Sequence, residues 1–326
     1  VACVLVHTEV DGGLPTDAAR AILGEGRRIG STLGAAVFAV AWVQPGDDDG
    51  EPARLLCEAL GCGGADRVVL VPAPVEPTLW LTIGPTLATI CDRLRPNLVI
   101  LPAHGGGRDI APRLAARLGG AFIAEPAIET GPRGEILLAR PVYGGDLWRR
   151  VQLDELDQVA VITLSADRSP ATGADEAELV RLALPAPSPG DFELIASRPD
   201  DASSLERARV IVVAGGGVTP AALPLVEALA RALGAELGGT RGACERGHVP
   251  ADREIGVGAR QVTPDLYVAC GASGSTAHLG AVSLDAEIVA IDLDARAPIF
   301  RAARWGLAGA IEDLVPALLR ALEARP

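Results

Sequence analysis

The sequence predicts an α/β protein built from two parallel-sheet units. Three observations carry that prediction. Short apolar runs alternate with longer segments of helical periodicity. The runs, such as VACVLVHT and NLVILPA, are apolar at nearly every position, as strands covered on both faces must be. The alternation also occurs twice, on either side of a Pro/Ser/Asp/Gly-rich stretch. At 326 residues the chain is long enough for two cores. The expected division is an N-terminal α/β domain over 1–165, a linker over 166–206 and a C-terminal α/β domain over 207–326.

In the first half, VACVLVHT is a strand, followed by a helix over 16–33. AAVFAVAWV is the second strand, 51–60 a short helix, DRVVLVP the third strand and 79–94 the next helix. NLVILPA is the fourth strand, 109–118 a helix and AFIAE the fifth strand. This order means a parallel sheet with right-handed crossovers and helices on both faces. The turn Gly105-Gly106-Gly107-Arg108 looks like a phosphate loop but lacks the P-loop lysine and GxGxxG spacing. It reads as a tight turn before a helix capped by Asp109, with Pro112 in the first turn. ILLARPVYGG, DLWRRVQL and DQVAVITL then read as a small antiparallel meander turning at Gly144-Gly145. In the linker only LVRLALP suggests order, as an edge strand.

ARVIVVAGGG opens the second unit with a strand ending in three glycines. A helix over 220–233 follows, with Leu223, Val226, Leu229, Ala230 and Leu233 on one face. LYVAC and EIVAID are two further buried strands. Between them Gly271-Ala272-Ser273-Gly274-Ser275-Thr276 leads into a segment that turns helical through His278. A small-residue loop between a strand and a helix offers backbone N–H groups to an anion, where an α/β sheet usually holds a phosphate-bearing ligand. From Arg301 the chain resumes helix, with Leu314, Leu318 and Leu322 on one face and a break into two helices expected at Pro316.

Composition excludes several classes. A net charge of −13 disfavours a nucleic-acid or anionic-membrane surface. No apolar run has the length of a membrane span, and VACVLVHT lacks the basic leader and cleavage site of a signal peptide. Cys3, Cys57, Cys62, Cys91, Cys244 and Cys270 form no CxxC pair and read as reduced core residues of a cytoplasmic protein. His7, His104 and His248 have no partner pattern, so neither a catalytic triad nor a metal centre is expected.

GASGSTAH, IVAIDLD, APIF, ARPVYGG and the terminal WGLAGAIEDLVP, in that family's order, resemble the electron transfer flavoprotein alpha subunit. The resemblance implies a Rossmann-like FAD-binding C-terminal domain without GxGxxG. It also implies an N-terminal domain in contact with a beta subunit, which carries AMP while this chain holds FAD. Such a heterodimer takes electrons from flavin-dependent dehydrogenases, so this is an electron carrier rather than an enzyme with its own substrate.

By the same resemblance, Gly271, Ser273, Gly274, Ser275, Thr276 and Ala277 surround the FAD diphosphate. His278 donates to the flavin pyrimidine edge, and Thr240-Arg241 stands in place of the family's Ser-Arg pair. A reduced flavin carries negative charge near N1, which a fixed guanidinium stabilises. By itself Arg241 reads as a solvated loop arginine. Ile255, Gly256, Val257 and Gly258 fall where the family has QIGQTGK, with Glu254 replacing its glutamine and Gly258 a hydroxyl residue aimed at N5. Gly217 stands in the place of an arginine, Asp292 of an asparagine and Ala310 of an aspartate.

These departures leave an alternative: a non-redox nucleotide-binding or structural subunit that has lost part of the FAD site. An NAD-linked dehydrogenase is a weaker reading, because neither VHTEVDGG nor VAGGGVTP supplies GxGxxG.

Overall fold

The computed structural model describes residues 3–73, 79–103, 105–132, 135–142, 147–153, 158–165, 176–184, 203–206, 208–283 and 285–324. Contacts divide the chain into two compact units, Val1–Ala196 and Ser197–Pro326.

The first unit begins with β1 (Cys3–Thr8), a two-residue hairpin of β2 (Val10–Asp11) and β3 (Leu14–Pro15), and α1 (Asp17–Leu33). The Thr16 hydroxyl caps α1 by accepting from Ala19 N at 3.1 Å, as its place before an apolar-periodic segment suggests. There follow β4 (Ala36–Val43), α2 (Gly50–Cys62), β5 (Arg67–Pro72), α3 (Trp80–Leu94), β6 (Leu98–Pro102), α4 (Gly106–Leu118) and β7 (Ala121–Ala124). β8 (Ala127–Thr130), β9 (Ile136–Val142) and β10 (Leu147–Gln152) form a separate antiparallel sheet. β11 (Ala160–Leu164) and β12 (Glu178–Leu179) return to the main sheet, whose order is β12-β5-β4-β1-β6-β11-β7 and whose pairs are all parallel.

Two expectations are corrected here. The meander takes its third strand from Ala127–Thr130, not from DQVAVITL. Every residue of β11 is buried, so that strand needs neighbours on both edges and cover on both faces, and it finds them between β6 and β7. Asp109 does not cap its own helix, because α4 starts three residues earlier behind Gly105, which puts Pro112 in the second turn. Its carboxylate instead accepts from Trp80 N at 2.7 Å, capping α3, and pairs with Arg113 at 3.1 Å. The Gly144-Gly145 turn, Tyr143 and His104 lie outside the described residues. Arg140 donates to the Ala124 carbonyl, a bond within the fold. The edge strand read in LVRLALP is present in part, as β12 against β5.

The second unit comprises α5 (Ser203–Glu206), β13 (Val210–Ala214), α6 (Leu223–Ala232), β14 (Glu236–Gly239), α7 (Arg241–Glu245), β15 (Leu266–Cys270), α8 (Thr276–Leu279), β16 (Glu287–Asp292), α9 (Ile299–Ala302), β17 (Trp305–Ala308) and α10 (Ile311–Glu323). Its sheet is parallel throughout in the order β14-β13-β15-β16-β17. One face packs Val212, Val226, Leu229, Ile311 and Val315 beneath α6 and α10, and the other packs Ile211, Tyr267, Ala290 and Ile299. Each such fully buried aliphatic chain contributes on the order of 1.5–3 kcal/mol. WGLA is an edge strand here, not helix, and Pro316 sits inside a single unbroken α10. The carbonyl that loses its partner to Pro316 belongs to exposed Glu312, near the helix start.

Candidate functional site

The chain runs from β13 out to β14, then crosses back to β15 on the other side of β13. Successive crossovers therefore leave the tips of β13 and β15 in opposite directions, which opens a crevice at the carboxyl ends of these strands.

The glycines after β13 and β15 lace the two tips together. Gly215 N donates to Cys270 O at 2.7 Å and Gly217 N to Gly271 O at 2.9 Å. A Cβ on Gly215 would fall 2.0 Å from the Gly271 carbonyl oxygen, so that glycine is a packing requirement; at Gly217 the same oxygen would be 3.0 Å away, and at Gly216 the nearest atom an ordinary 3.7 Å. Gly271 and Gly274 take φ of 63° and 80°, bending the loop around its own backbone. Ser273 O accepts from Ile299 N at 3.0 Å and pins the loop to α9. Among the described residues, the N–H groups of 273–277 have no acceptor in the protein. α8 is a single turn, so it contributes little dipole; the anion-binding capacity rests on this row of free donors.

β14 delivers Thr240 and Arg241. Arg241 opens α7, is 79% exposed in its side chain and pairs through Nε with Glu245 at 2.9 Å, which holds the guanidinium charged. The 254–258 segment is stitched beside it: Ile255 N donates to Gly239 O at 2.8 Å, Gly256 N to Arg260 O at 3.2 Å and Val257 N to Ala277 O at 2.7 Å. Gly256 and Val257 thus use their backbone donors inside the protein. Gly258 has a φ of 93° with open space around it.

His278 is 5% exposed, and both ring nitrogens have partners. Nδ1 lies 3.0 Å from Ile255 O, which only accepts, so this nitrogen carries the proton. Nε2 then accepts from the Tyr267 hydroxyl at 2.8 Å. Burial pushes the imidazole pKa down, offset in part by the bond to Ile255, and burial pushes the Tyr267 phenol well up. Asp292, at the tip of β16, accepts from Asp294 N at 2.9 Å through Oδ1.

These parts enclose a cleft of about 520 Å³. The residues that the resemblance assigns to the cofactor all line it, except Gly258 and Thr276. Ala310 precedes α10 and does not line it. Sequence reasoning missed Gly216, Gly242 and Arg246, which line it too. Arg246 follows α7 directly, and its guanidinium donates to Gly216 O over the turn where Gly217 supplies no side chain. Glu254, noted only as a substitution, also faces the cleft. Free backbone donors beside two guanidinium groups fit a dinucleotide diphosphate; the Asp292 carboxylate is suited to accept from a ribose hydroxyl.

A parallel sheet of this strand order, with donors gathered at its switch point, defines a doubly wound α/β unit of the kind that holds a phosphate-bearing ligand at the carboxyl ends of its strands. The sequence profile of the electron transfer flavoprotein FAD-binding domain matches residues 204–283, and that of the electron transfer flavoprotein domain matches residues 4–187. The electron transfer flavoprotein subunit alpha of Bacillus subtilis is 30% identical over 275 residues, covering 82% of this chain and 84% of that protein. The Mycobacterium leprae subunit alpha is 31% identical over 83% of this chain and 85% of that protein. A FixB protein of Clostridium saccharobutylicum is 30% identical over 91% of this chain and 89% of that protein. The chain belongs to the electron transfer flavoprotein alpha subunit family. No helix among the described residues is long and apolar enough to cross a membrane, and no cluster there has the His/Cys/Asp/Glu content of a metal site.

Proposed function

We propose that this chain binds FAD in the cleft of its second unit and serves as the alpha subunit of a heterodimer with a beta subunit. That heterodimer passes electrons from flavin-dependent dehydrogenases to an acceptor. The observation that carries the reading is the row of unpaired N–H groups at 273–277, at the switch point and beside Arg241 and His278. FAD, when bound, supplies the reversible electron chemistry; the chain supplies position and electrostatics.

In this reading the 273–277 donors hold the diphosphate and Asp292 accepts from the ribose. Arg241 sets positive charge at the ring. His278 gives its Nδ1 proton to Ile255 O and takes the Tyr267 hydroxyl proton at Nε2, so in this arrangement it has no proton for the flavin pyrimidine edge, contrary to the donation that the resemblance implies; it lines the cleft as a neutral imidazole. No acid, base or nucleophile is required of an electron carrier. The test is the full chain co-produced with the beta subunit. A yellow complex with a flavin spectrum, bleached by a dehydrogenase and its substrate, is expected. A colourless complex that resists FAD reconstitution yet binds an adenine nucleotide would turn the assignment to a non-redox subunit, a reading that the Glu254 carboxylate in the cleft favours.

A further inference from the structure

We propose that Arg246 is a second cofactor-holding residue, its guanidinium supplying the cation for an anionic group of the bound dinucleotide across the Gly216–Gly217 turn; this rests on the reading that FAD binds in this cleft. Four charged side chains line the cleft: Arg241, Arg246, Glu254 and Asp292. Arg241 is already compensated by Glu245 at 2.9 Å. Glu254 and Asp292 add two carboxylates to the wall. Without Arg246, a ligand bringing a diphosphate would enter a site whose fixed charge opposes it. Among the described residues Arg246 has no carboxylate partner, and the bond that it does make is to the Gly216 carbonyl. It is therefore the cation of the cleft wall left uncommitted.

Geometry supports the same role. Arg246 follows the last residue of α7, so the short helix that presents Arg241 at its start presents Arg246 at its end. Gly216 and Gly217 carry no side chains and line the cleft together with Arg246, so the turn that the guanidinium is anchored to adds no side-chain bulk there. Arginine has five N–H donors in a planar fork. One of its terminal nitrogens is engaged with Gly216 O; the anchored fork keeps donors for a ligand oxygen and loses less freedom on binding than an untethered lysine.

The experiment compares Arg246→Ala, Arg246→Gln and Arg246→Lys with the unaltered chain, each in complex with the beta subunit. Affinities for FAD and for ADP are read by titration, with the flavin midpoint potential alongside. Arg246 is exposed, so the variants keep their fold, and unchanged thermal midpoints check this. The Ala and Gln variants are expected to bind FAD about ten- to a hundredfold more weakly, with Lys intermediate. If ADP affinity falls by the same factor, the anion is the diphosphate. If ADP affinity holds and the potential drops, it is the reduced ring. Either result supports the proposal. FAD affinity within about twofold of the unaltered chain, with the potential unmoved, overturns it. An unaltered complex that takes up no FAD removes the underlying reading as well, and the two failures are thereby distinguished.

Discussion

The His278 imidazole is held between two groups of its own chain, with Tyr267 Oη 2.8 Å from Nε2 and Ile255 O 3.0 Å from Nδ1. Its tautomer is therefore fixed before any ligand arrives. Tyr267→Phe removes the donor to Nε2 and leaves that nitrogen buried without a partner, at a cost of about 1–3 kcal/mol. The second unit of this variant is expected to unfold at lower urea than the unaltered chain. Flavin bound by the variant is expected to shift in absorbance, because the hydrogen bonding of an imidazole that lines the cleft has changed. An unchanged urea midpoint and spectrum together would show that the Tyr267 hydroxyl contributes nothing to His278.

His7, at the end of β1, is 1% exposed, and among the described residues neither ring nitrogen has a partner. Burial pushes its pKa down to about 4 from 6.5. The folded chain thus holds this ring neutral, while the unfolded chain takes up a proton below 6.5. Stability is lost as pH falls from 6.5 toward 4, by up to about 3 kcal/mol. His7→Leu removes both unpaired nitrogens and the titration. Thermal midpoints measured between pH 7 and pH 4 should fall less steeply for His7→Leu than for the unaltered chain, with the leucine variant at least as stable at pH 7. Parallel curves would count against the assignment.

Glycine substitutions at the strand tips should separate into two groups. Gly215→Ala drives a methyl to 2.0 Å from Gly271 O, and Gly274→Ala places one 2.5 Å from Ile299 N at a φ of 80°. Neither clash can be relieved by turning a side chain, so each variant is expected to lose about 3 kcal/mol or more and to release its cofactor. Gly258→Ala has open space and pays only for its φ of 93°, about 1 kcal/mol. Chemical denaturation of the three variants checks the order.

What was legible in the sequence follows from which interactions are local. The strands around β1, β6, β13 and β15 are nearly continuous apolar runs, and their identity needs no partner to be known. Partner choice is not local. DQVAVITL reads as a strand, yet only the seven-stranded sheet shows that it pairs with β6 and β7 rather than with the meander. WGLA was missed because a short, largely exposed edge strand of Trp, Gly, Leu and Ala has neither alternation nor length. The GASGST segment was legible as a loop because a run of Gly and Ser between an apolar strand and a helical segment extends neither. Arg246 was not, since an exposed arginine in CERGH carries no signal until α7 sets it over Gly216. Likewise the partners of His278 lie at Ile255 and Tyr267, on separate segments that meet only in the fold.

Glu254 gives the sharpest test of the cleft's electrostatics. Its Oε1 lies 3.7 Å from where a Cβ on Gly256 would stand, and it acts on the Arg241 guanidinium through space in addition to Glu245. A carboxylate there opposes negative charge arriving on a reduced ring and draws on the positive field of Arg241. Glu254→Gln keeps the shape and removes the charge. Partly exposed charges that face each other across a cleft interact by about 1 kcal/mol at most. For a one-electron step that corresponds to about 40 mV, given about 59 mV per factor of ten. The flavin midpoint potential of Glu254→Gln should therefore rise by a few tens of millivolts. The rise should shrink at high salt, because the cleft is open to solvent and its charges are screened. A potential that stays put or falls in spectroelectrochemical titration would mean that the carboxylate points away from the ring, and that the charge sensed by the flavin is set by Arg241 and Arg246 alone.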